Sequence, residues 1–258
     1  VNDNVSDDNV TSTITVAINQ GSTNDAKYDA LSSQSVSVTT TDGVDAATFT
    51  IAETDNATLV SESGGTDTFS VVLGSEPTGN VVFSLTAGDS TEVSLSASVL
   101  TFSTSNWSTA QTVTVTGVND NVSDDNVTST ITVAINQSNT ADTKYDALSS
   151  QSVTVSTTDD DTAAFTVTES GGSTVVAESG STDAIVVTLS SEPTGSVVLS
   201  LTNSDNETSL SASTLTFTPS NWNSAQDVTI TGVDDNIDDD NVTSTITVAI
   251  NQSSTADT

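Results

Sequence analysis

The chain has 258 residues and a formal net charge of -33, with 35 acidic residues and only two basic ones, Lys27 and Lys144. So acidic a chain is repelled by nucleic acid and by the anionic face of a membrane, which bind proteins through Lys and Arg. It has no Cys and no His, which excludes disulfides, thiolate metal sites and the usual general base. The composition favours metal cations as partners and an extracellular, cell-surface location, which we expect to be bacterial.

Long matching stretches divide the sequence into repeats. VNDNVSDDNVTSTITVAIN begins at Val1 and again at Val118, and VDDNIDDDNVTSTITVAIN begins at Val233, giving offsets of 117 and 115 residues. SEPTG recurs at an offset of 116 residues, from Ser75 to Ser191. A period near 116 residues is too long for one turn of a solenoid and suits a β-sandwich domain of about 100 residues.

Alternating β-branched residues predict the strands of each repeat, because period-two alternation is typical of half-buried strands. No stretch shows a helical period. In chain order, the strands predicted for the central repeat are Thr58–Ser63 with ATFTIAE as a lead-in, Asp67–Leu73, Asn80–Thr86, Ser94–Phe102, Gln111–Val118, Ser129–Ile135 and Gln151–Thr157. Gly, Pro, Asn and Asp separate them, as in turns. The predicted fold class is all-β, with tandem seven-stranded Greek-key, immunoglobulin-like β-sandwiches.

The phase of the repeat predicts the domain boundaries. The pattern restarts after TTDDD at Thr157–Asp161, so the complete repeat spans residues 45–161. Residues 1–44 then supply only the last two strands of a preceding repeat, and residues 162–258 form a repeat that lacks its last strand. A lone hairpin is marginal in water, and a missing strand leaves an unpaired sheet edge. We therefore expect the polypeptide to continue at both ends, with residues 1–44 pairing to a neighbouring repeat.

Carboxylates recur in loops that a Greek-key sandwich places at one end. The turn after QTVTVTGV and the exit from QSVTVST leave their strands at that end, which gathers five or six carboxylates. Two carboxylates about 4 Å apart repel by about 4 kcal/mol at an effective dielectric of about 20, so a cluster favours a bound cation. Calcium takes about 6–8 oxygen ligands, whereas magnesium keeps its waters and zinc prefers His or Cys. Ca²⁺ is therefore the predicted cofactor. The alternative is that the acids only form solvated turns.

Three short motifs contain these acids. An early V-x-E-x-x-G appears as VSESGG and, in variant form, as VAESGS; VNDNVSD and VDDNIDD follow the fifth strand, and DDD ends the complete repeat. The motifs resemble the Calx-beta domain family of sodium/calcium exchangers and tandem bacterial surface proteins, which binds calcium at one pole. The form SNW..AQ.VTVTGVDDN is similar to the repeats of very large bacterial adhesins.

The resemblance implies, residue by residue, a set of calcium ligands. They are Glu62, Asp89, Asp120, Asp124, Asp159, Asp160 and Asp161 in the complete repeat, and Glu178, Asp205, Asp234, Asp235 and Asp238 in the last one. Asn119 stands where the family prefers Asp, and the last repeat has no exit acids.

The sequence predicts a structural module: calcium-rigidified extender repeats of a secreted bacterial surface adhesin or stalk. Its expected partners are neighbouring repeats of the same or an adjacent chain, and a surface or cell target bound through other domains. We expect no enzyme, because no nucleophile–base pair can form without His or Cys, and a site in every repeat suits architecture. The alternatives are a subunit of an extracellular filament or sheath, and a calcium-sensing regulatory domain. Carbohydrate binding is weaker, since aromatic residues make up only 4% of the chain.

Overall fold

The computed structural model describes residues 4, 5, 8–41, 45–237 and 240–257, and nearly all of their regular structure is β. The α-helices among these residues are four residues long, and none of the described helices could span a bilayer. The chain forms two compact units: residues 1–60, 65–117 and 128–156, and residues 61–64, 118–127 and 157–258. The all-β, β-sandwich fold class is confirmed. The boundaries predicted at residues 45 and 162 follow the sequence repeat rather than these contacts, and they stay predictions.

The first unit begins with an exposed hairpin. It consists of β1 (Val10–Val16), α1 (Ala26–Asp29) and β2 (Gln34–Thr40). The two strands pair antiparallel from Val10 opposite Thr40 to Val16 opposite Gln34, and every strand residue is exposed. Among the described residues they pair with each other and with no third strand. Their pairing to a neighbouring repeat stays a prediction.

The rest of the first unit is a two-sheet sandwich. Its elements are β3 (Phe49–Glu53), β4 (Thr58–Ser61), β5 (Thr66–Leu73), β6 (Val81–Ala87), β7 (Val93–Leu95), β8 (Val99–Phe102), β9 (Gln111–Gly117), β10 (Val127–Ile135), α2 (Thr143–Asp146) and β11 (Gln151–Thr158). One sheet has the order β3-β5-β9-β7 and the other the order β4-β11-β10-β6-β8. Their inward residues share one core, in which the Phe83 ring lies 4.9 Å from that of Phe49 and 5.8 Å from that of Phe102.

Two details of the predicted strands were wrong. The lead-in ATFTIAE contains a full strand, β3, which pairs with β5. The single strand predicted at Ser94–Phe102 is two strands, because β7 pairs with β9 and β8 pairs with β6 in the opposite sheet. Between them the backbone bonds to both sheets: Ser96 N–H donates to Thr114 O, and Ser98 O accepts from Leu85 N–H. Alternation continues through such a crossing, so the pattern does not reveal it.

The helix α2 closes one side of the core. The Asp142 carboxylate is buried and accepts from Thr78 N–H at 2.7 Å and from Thr78 Oγ1 at 2.9 Å. Burial raises the pKa of Asp142, but hydrogen bonds from Thr78, Tyr145 and Lys144 outweigh it and hold that pKa below the usual value. The Tyr145 ring is fully buried, and its hydroxyl donates to Ser75 O at 2.7 Å.

The two basic residues, Lys27 and Lys144, lie in the short helices α1 and α2. Lys144 Nζ lies 3.1 Å from Asp8 Oδ1, but the Asp8 side chain is almost fully exposed. Exposed ion pairs contribute little to stability. We therefore expect Lys27→Gln combined with Lys144→Gln to change the free energy of unfolding by less than about 0.5 kcal/mol. A larger loss in a thermal or urea melt would show that Lys144 belongs to a stabilising network.

The second unit repeats this sandwich with fewer strands. They are β12 (Phe165–Glu169), β13 (Thr182–Leu189), β14 (Val197–Asn203), β15 (Thr208–Leu210), β16 (Thr214–Phe217), β17 (Gln226–Gly232) and β18 (Ile246–Ile250). The sheets have the orders β12-β13-β17-β15 and β16-β14-β18. Residues 174–177, the counterpart of β4, form no strand. In the complete repeat β4 pairs with β11, and β11 has no counterpart among the described residues of the second unit.

Candidate metal centre

Three separated chain segments bring carboxylates together within the second unit. Glu62 directly follows β4, residues 118–126 follow β9, and Asp159–Asp161 directly follow β11. A backbone hydrogen bond from Glu62 N–H to Thr158 O, 3.1 Å long, ties the first segment to the last. Strand pairing therefore places the early Glu beside the exit acids.

Glu62 is common to two groups of carboxylates that could each hold a metal ion. One group is Glu62, Asp124 and Asp159, and the other is Glu62, Asp160 and Asp161. In each group, one oxygen from every residue lies within 4.8 Å of the others. Glu62 is only 1% exposed, Asp159 and Asp161 are half-buried, and Asp124 and Asp160 are exposed. The carboxylate oxygens therefore extend from the buried Glu62 to the solvent-exposed Asp124 and Asp160.

The loops around these groups are held by backbone hydrogen bonds to Asp159. Its Oδ2 accepts from Asp125 N–H at 3.2 Å, and its Oδ1 accepts from Asp161 N–H at 2.8 Å. Its own N–H donates to Asn126 Oδ1 at 3.3 Å. Asp125 adopts a left-handed backbone with φ of 65°, which Asp and Asn tolerate better than most residues.

Several of these loop residues line an open, polar depression. They are Ser123, Asp125, Asn126, Asp159, Asp161 and Thr162. Asp125, Asn126 and Ser123 were absent from the predicted ligand set. The S-D-D-N run is the sequence feature that could have indicated them. In this run Asp125, with its left-handed backbone, turns the chain so that its neighbours face the exit acids.

The carboxylates are close enough to change each other's acidity. Burial, then the charges of Asp120, Asp159 and Asp125, raise the pKa of Asp124 above its usual value. Burial, then the charges of Asp160, Asp159 and Asp120, raise the pKa of Asp161. Both shifts have the sign expected of like charges gathered without a counterion. A cation at this place would reverse the repulsion.

The raised pKa values predict a pH dependence in metal-free protein. These carboxyl groups have a higher pKa in the folded protein than in the unfolded chain, where it is near 3.8. The stability of the folded state therefore decreases as pH rises from the unfolded pKa through the folded pKa. We therefore expect Asp124→Asn combined with Asp161→Asn to stabilise the metal-free protein, measured in a chelator, at neutral pH. The advantage should shrink as pH falls through the raised pKa values. Melts in a chelator from pH 7 to pH 4 measure the difference, and an advantage that grows on acidification would contradict it.

Two other predicted ligands of the complete repeat lie outside these groups. Asp120 lies close enough for its charge to act on Asp124 and Asp161, while its Oδ1 accepts from Val122 N–H at 2.8 Å. Asp89 lies in the first unit, in the turn between β6 and β7. Its Oδ1 accepts from Thr91 N–H and Oγ1, which hold the pKa of Asp89 below its usual value.

The acids of the last repeat form no comparable group among the described residues. Asp205 Oδ1 accepts from Ser244 Oγ at 2.7 Å, and Asp235 Oδ1 accepts from Ile237 N–H at 2.7 Å. Glu178 is half-buried in a loop and Asp234 is exposed, while Asp238 lies outside the described residues.

Comparisons with known proteins do not assign a family. No family model matches the chain, and no curated protein matches it. Among solved structures, it resembles the D0–D1 domains of intimin at a TM-score of 0.29 and 18% identity, covering 72% of this chain and 84% of that one. It resembles domains 4 and 5 of the S-layer protein SbsC at 0.33 and 18%, covering 58% of each chain. It resembles the calcium-binding domain CBD12 of CALX1.1 at a TM-score of 0.30 and 15% identity, covering 72% of this chain and 76% of that one. Likenesses this low add no argument about function.

Proposed function

We propose that this chain is a non-enzymatic structural module of an extracellular protein, made of β-sandwich repeats that bound calcium makes rigid. Such modules act as extenders or stalks that hold other parts of a bacterial surface adhesin away from the cell. The proposal depends most on one observation: a buried carboxylate, Glu62, contributes to two groups of three carboxylates.

The burial of Glu62 supports a bound cation rather than solvated turns. Carboxylates that converge repel one another, and burial reduces the screening of that repulsion by water, so a cluster with a buried member favours a bound cation. Turn-forming acids need no burial and satisfy their oxygens on their own backbone, as Asp89 does in the first unit. Here Glu62 is covered while four further carboxylates approach it from two other segments.

The ligand chemistry favours calcium over other metals. The candidate ligands are all oxygens, which excludes the Cys and His sets that bind zinc. Four carboxylates around a shared Glu, five in all, suit the high and flexible coordination number of calcium. Magnesium holds its waters and usually takes one or two carboxylates. Because Glu62 belongs to both groups, the five carboxylates could hold more than one calcium ion.

Calcium at this place would have a mechanical effect. The ligands come from three segments far apart in sequence, at positions 62, 124 and 159–161. Ions would hold these segments together where the sequence of one repeat ends and the next begins. Without ions, repulsion between the carboxylates favours a looser arrangement. Stiffness that depends on calcium is the property a stalk needs.

Equilibrium dialysis tests the proposal directly. We expect about two calcium ions for each chain, with a Kd of about 10⁻⁴–10⁻³ M, the range of extracellular modules. Glu62→Gln should remove most of this binding, since both groups contain Glu62. The matched control is Glu169→Gln, which makes the same change at an exposed position at the end of β12. Equal calcium binding by wild type and Glu62→Gln would contradict the proposal.

A further inference from the structure

One loop of the candidate metal centre is attached to a turn of the second sandwich. Residues 118–127, which include the candidate ligand Asp124, belong to the second unit. Glu192 lies in the turn between β13 and β14, and its N–H donates to Asn121 O at 2.6 Å. Val122 also forms a parallel β-bridge with Glu192. The contact uses the backbone of Glu192, while its carboxylate belongs to neither carboxylate group.

The same contact occurs at the matching position one repeat earlier. There Glu76 N–H donates to Asn4 O at 2.6 Å, and Val5 forms a parallel β-bridge with Glu76. In both places the accepting segment is NDNV and the donating turn is SEPTG. The two local sequences therefore encode the contact, because the same pair of segments meets in the same register twice.

The turn that donates this bond is firmly held. Ser191 and Pro193, on either side of Glu192, are both buried. The ring of Pro193 also keeps the preceding residue, Glu192, in extended backbone conformations. The Glu192 N–H is therefore a fixed donor to which the loop of residues 118–127 is anchored.

The candidate ligand Asp124 lies between two fixed points of this loop. On one side, Asn121 O accepts from Glu192 N–H. On the other, Asp125 N–H donates to Asp159 Oδ2 at 3.2 Å. Calcium holds its oxygen ligands at about 2.3–2.6 Å, so a shift of about 1 Å takes a ligand out of reach. Release of the first point would let Asp124 move away from the like charges around it and out of its carboxylate group.

We propose that Glu192 is a positioning residue of the metal centre: its N–H anchors Asn121 and thereby holds Asp124 in its carboxylate group. This role rests on the proposed calcium site and adds to it a residue that supplies no ligand. Coupling between two sites is reciprocal, so an ion held by Asp124 must in turn strengthen the bond between Glu192 and Asn121. Calcium then stabilises the turn between β13 and β14, although neither described carboxylate group takes a ligand from those strands.

Amide hydrogen exchange of the wild-type chain, followed residue by residue by NMR, tests the reciprocal effect. We expect the Glu192 amide to exchange about 5–150-fold more slowly in saturating calcium than in chelator, the usual range of coupling between two sites. The internal control is the Glu76 amide, which makes the same bond, while the described carboxylate groups include no acid from residues 4–8. Its exchange should be the same in both conditions. Equal exchange of the Glu192 amide with and without calcium, in protein that binds the ion, would overturn the proposal.

Two substitutions at Glu192 separate the effect of its N–H from that of its carboxylate. Glu192→Pro removes the N–H and should weaken calcium binding in equilibrium dialysis by the same factor as the slowing of exchange, because both measure one coupling. Glu192→Gln keeps the N–H and should bind calcium as wild type does. Glu76→Pro makes the same backbone change in the other contact and should leave calcium binding unchanged.

The outcomes distinguish the positioning role from the calcium site itself. Calcium binding by Glu192→Pro that equals that of wild type would overturn the positioning role and leave the site intact. So would a loss in Glu192→Gln or Glu76→Pro as large as in Glu192→Pro, because the carboxylate or a general effect of proline would then be responsible. Absence of calcium binding by wild type would overturn the calcium site, and the positioning role with it. If Glu192→Pro does not fold, the exchange measurement on wild type still decides.

Discussion

Tyr145→Ala is expected to lower the free energy of unfolding of the first unit by about 3–5 kcal/mol, the range for truncating a buried aromatic side chain. The ring is completely buried, and its hydroxyl donates to Ser75 O at 2.7 Å and lies 2.9 Å from Ser75 Oγ. Removing the ring leaves a cavity in the core and takes a hydrogen-bond partner from a buried serine. Denaturant melts of the full chain at low concentration measure the change.

The chain contains its own control for this substitution. Tyr28→Ala makes the same change in a nearly identical local sequence, but Tyr28 is 59% exposed. We expect Tyr28→Ala to shift the free energy of unfolding of dilute protein by less than about 0.5 kcal/mol. Similar losses in the two variants would mean that the hairpin is packed in solution as tightly as its counterpart.

Asp159→Asn combined with Asp160→Asn is expected to remove most of the stabilisation by calcium. The double variant takes one carboxylate from each group, since Asp159 lies in one and Asp160 in the other. If calcium binds the folded state alone, as proposed, it should add about 2.7 kcal/mol for each site in wild type at about 100 times its Kd. In a chelator the variant should be as stable as wild type or more so, because it has lost two mutually repelling charges.

A variant with the same change in charge at distant positions separates ligand loss from general electrostatics. Asp55 and Asp227 are exposed and belong to neither carboxylate group. Asp55→Asn combined with Asp227→Asn should keep the full gain from calcium. If the two double variants respond to calcium alike, the gain arises from screening of the total charge.

Much of the fold follows from local patterns in the sequence. Alternation of Val and Ile with Thr identifies strands such as β9 and β10, because one face packs in the core while the other meets solvent. Glu62, Asp159 and Asp160 were named together only through the resemblance of the motifs to a known family, and the pairing that ties Glu62 to Thr158, beside them, is seen in the structure. Asp89 belongs to the set that the resemblance implied, but its Oδ1 accepts from Thr91 in its own turn, and its role as a ligand stays a prediction.

Other features depend on contacts that no local pattern encodes. The strand predicted at Ser94–Phe102 crosses between sheets at Ser96–Ser98 without any break in alternation. The buried Tyr145 and the exposed Tyr28 stand in nearly identical sequences, so only the presence of a covering sheet distinguishes them. The loop conformation at Asp125 is likewise fixed by the exit acids across the site.

The most direct test of the calcium-bound structural module is the melting temperature of the full chain in chelator and in several millimolar calcium. The account predicts that calcium raises the melting temperature of wild type by several degrees or more, that magnesium at the same concentration raises it much less, and that Glu62→Gln abolishes the calcium effect. A wild-type melting temperature that is the same in chelator and in calcium would contradict the account, because the clustered carboxylates would then be solvated turns that bind no ion.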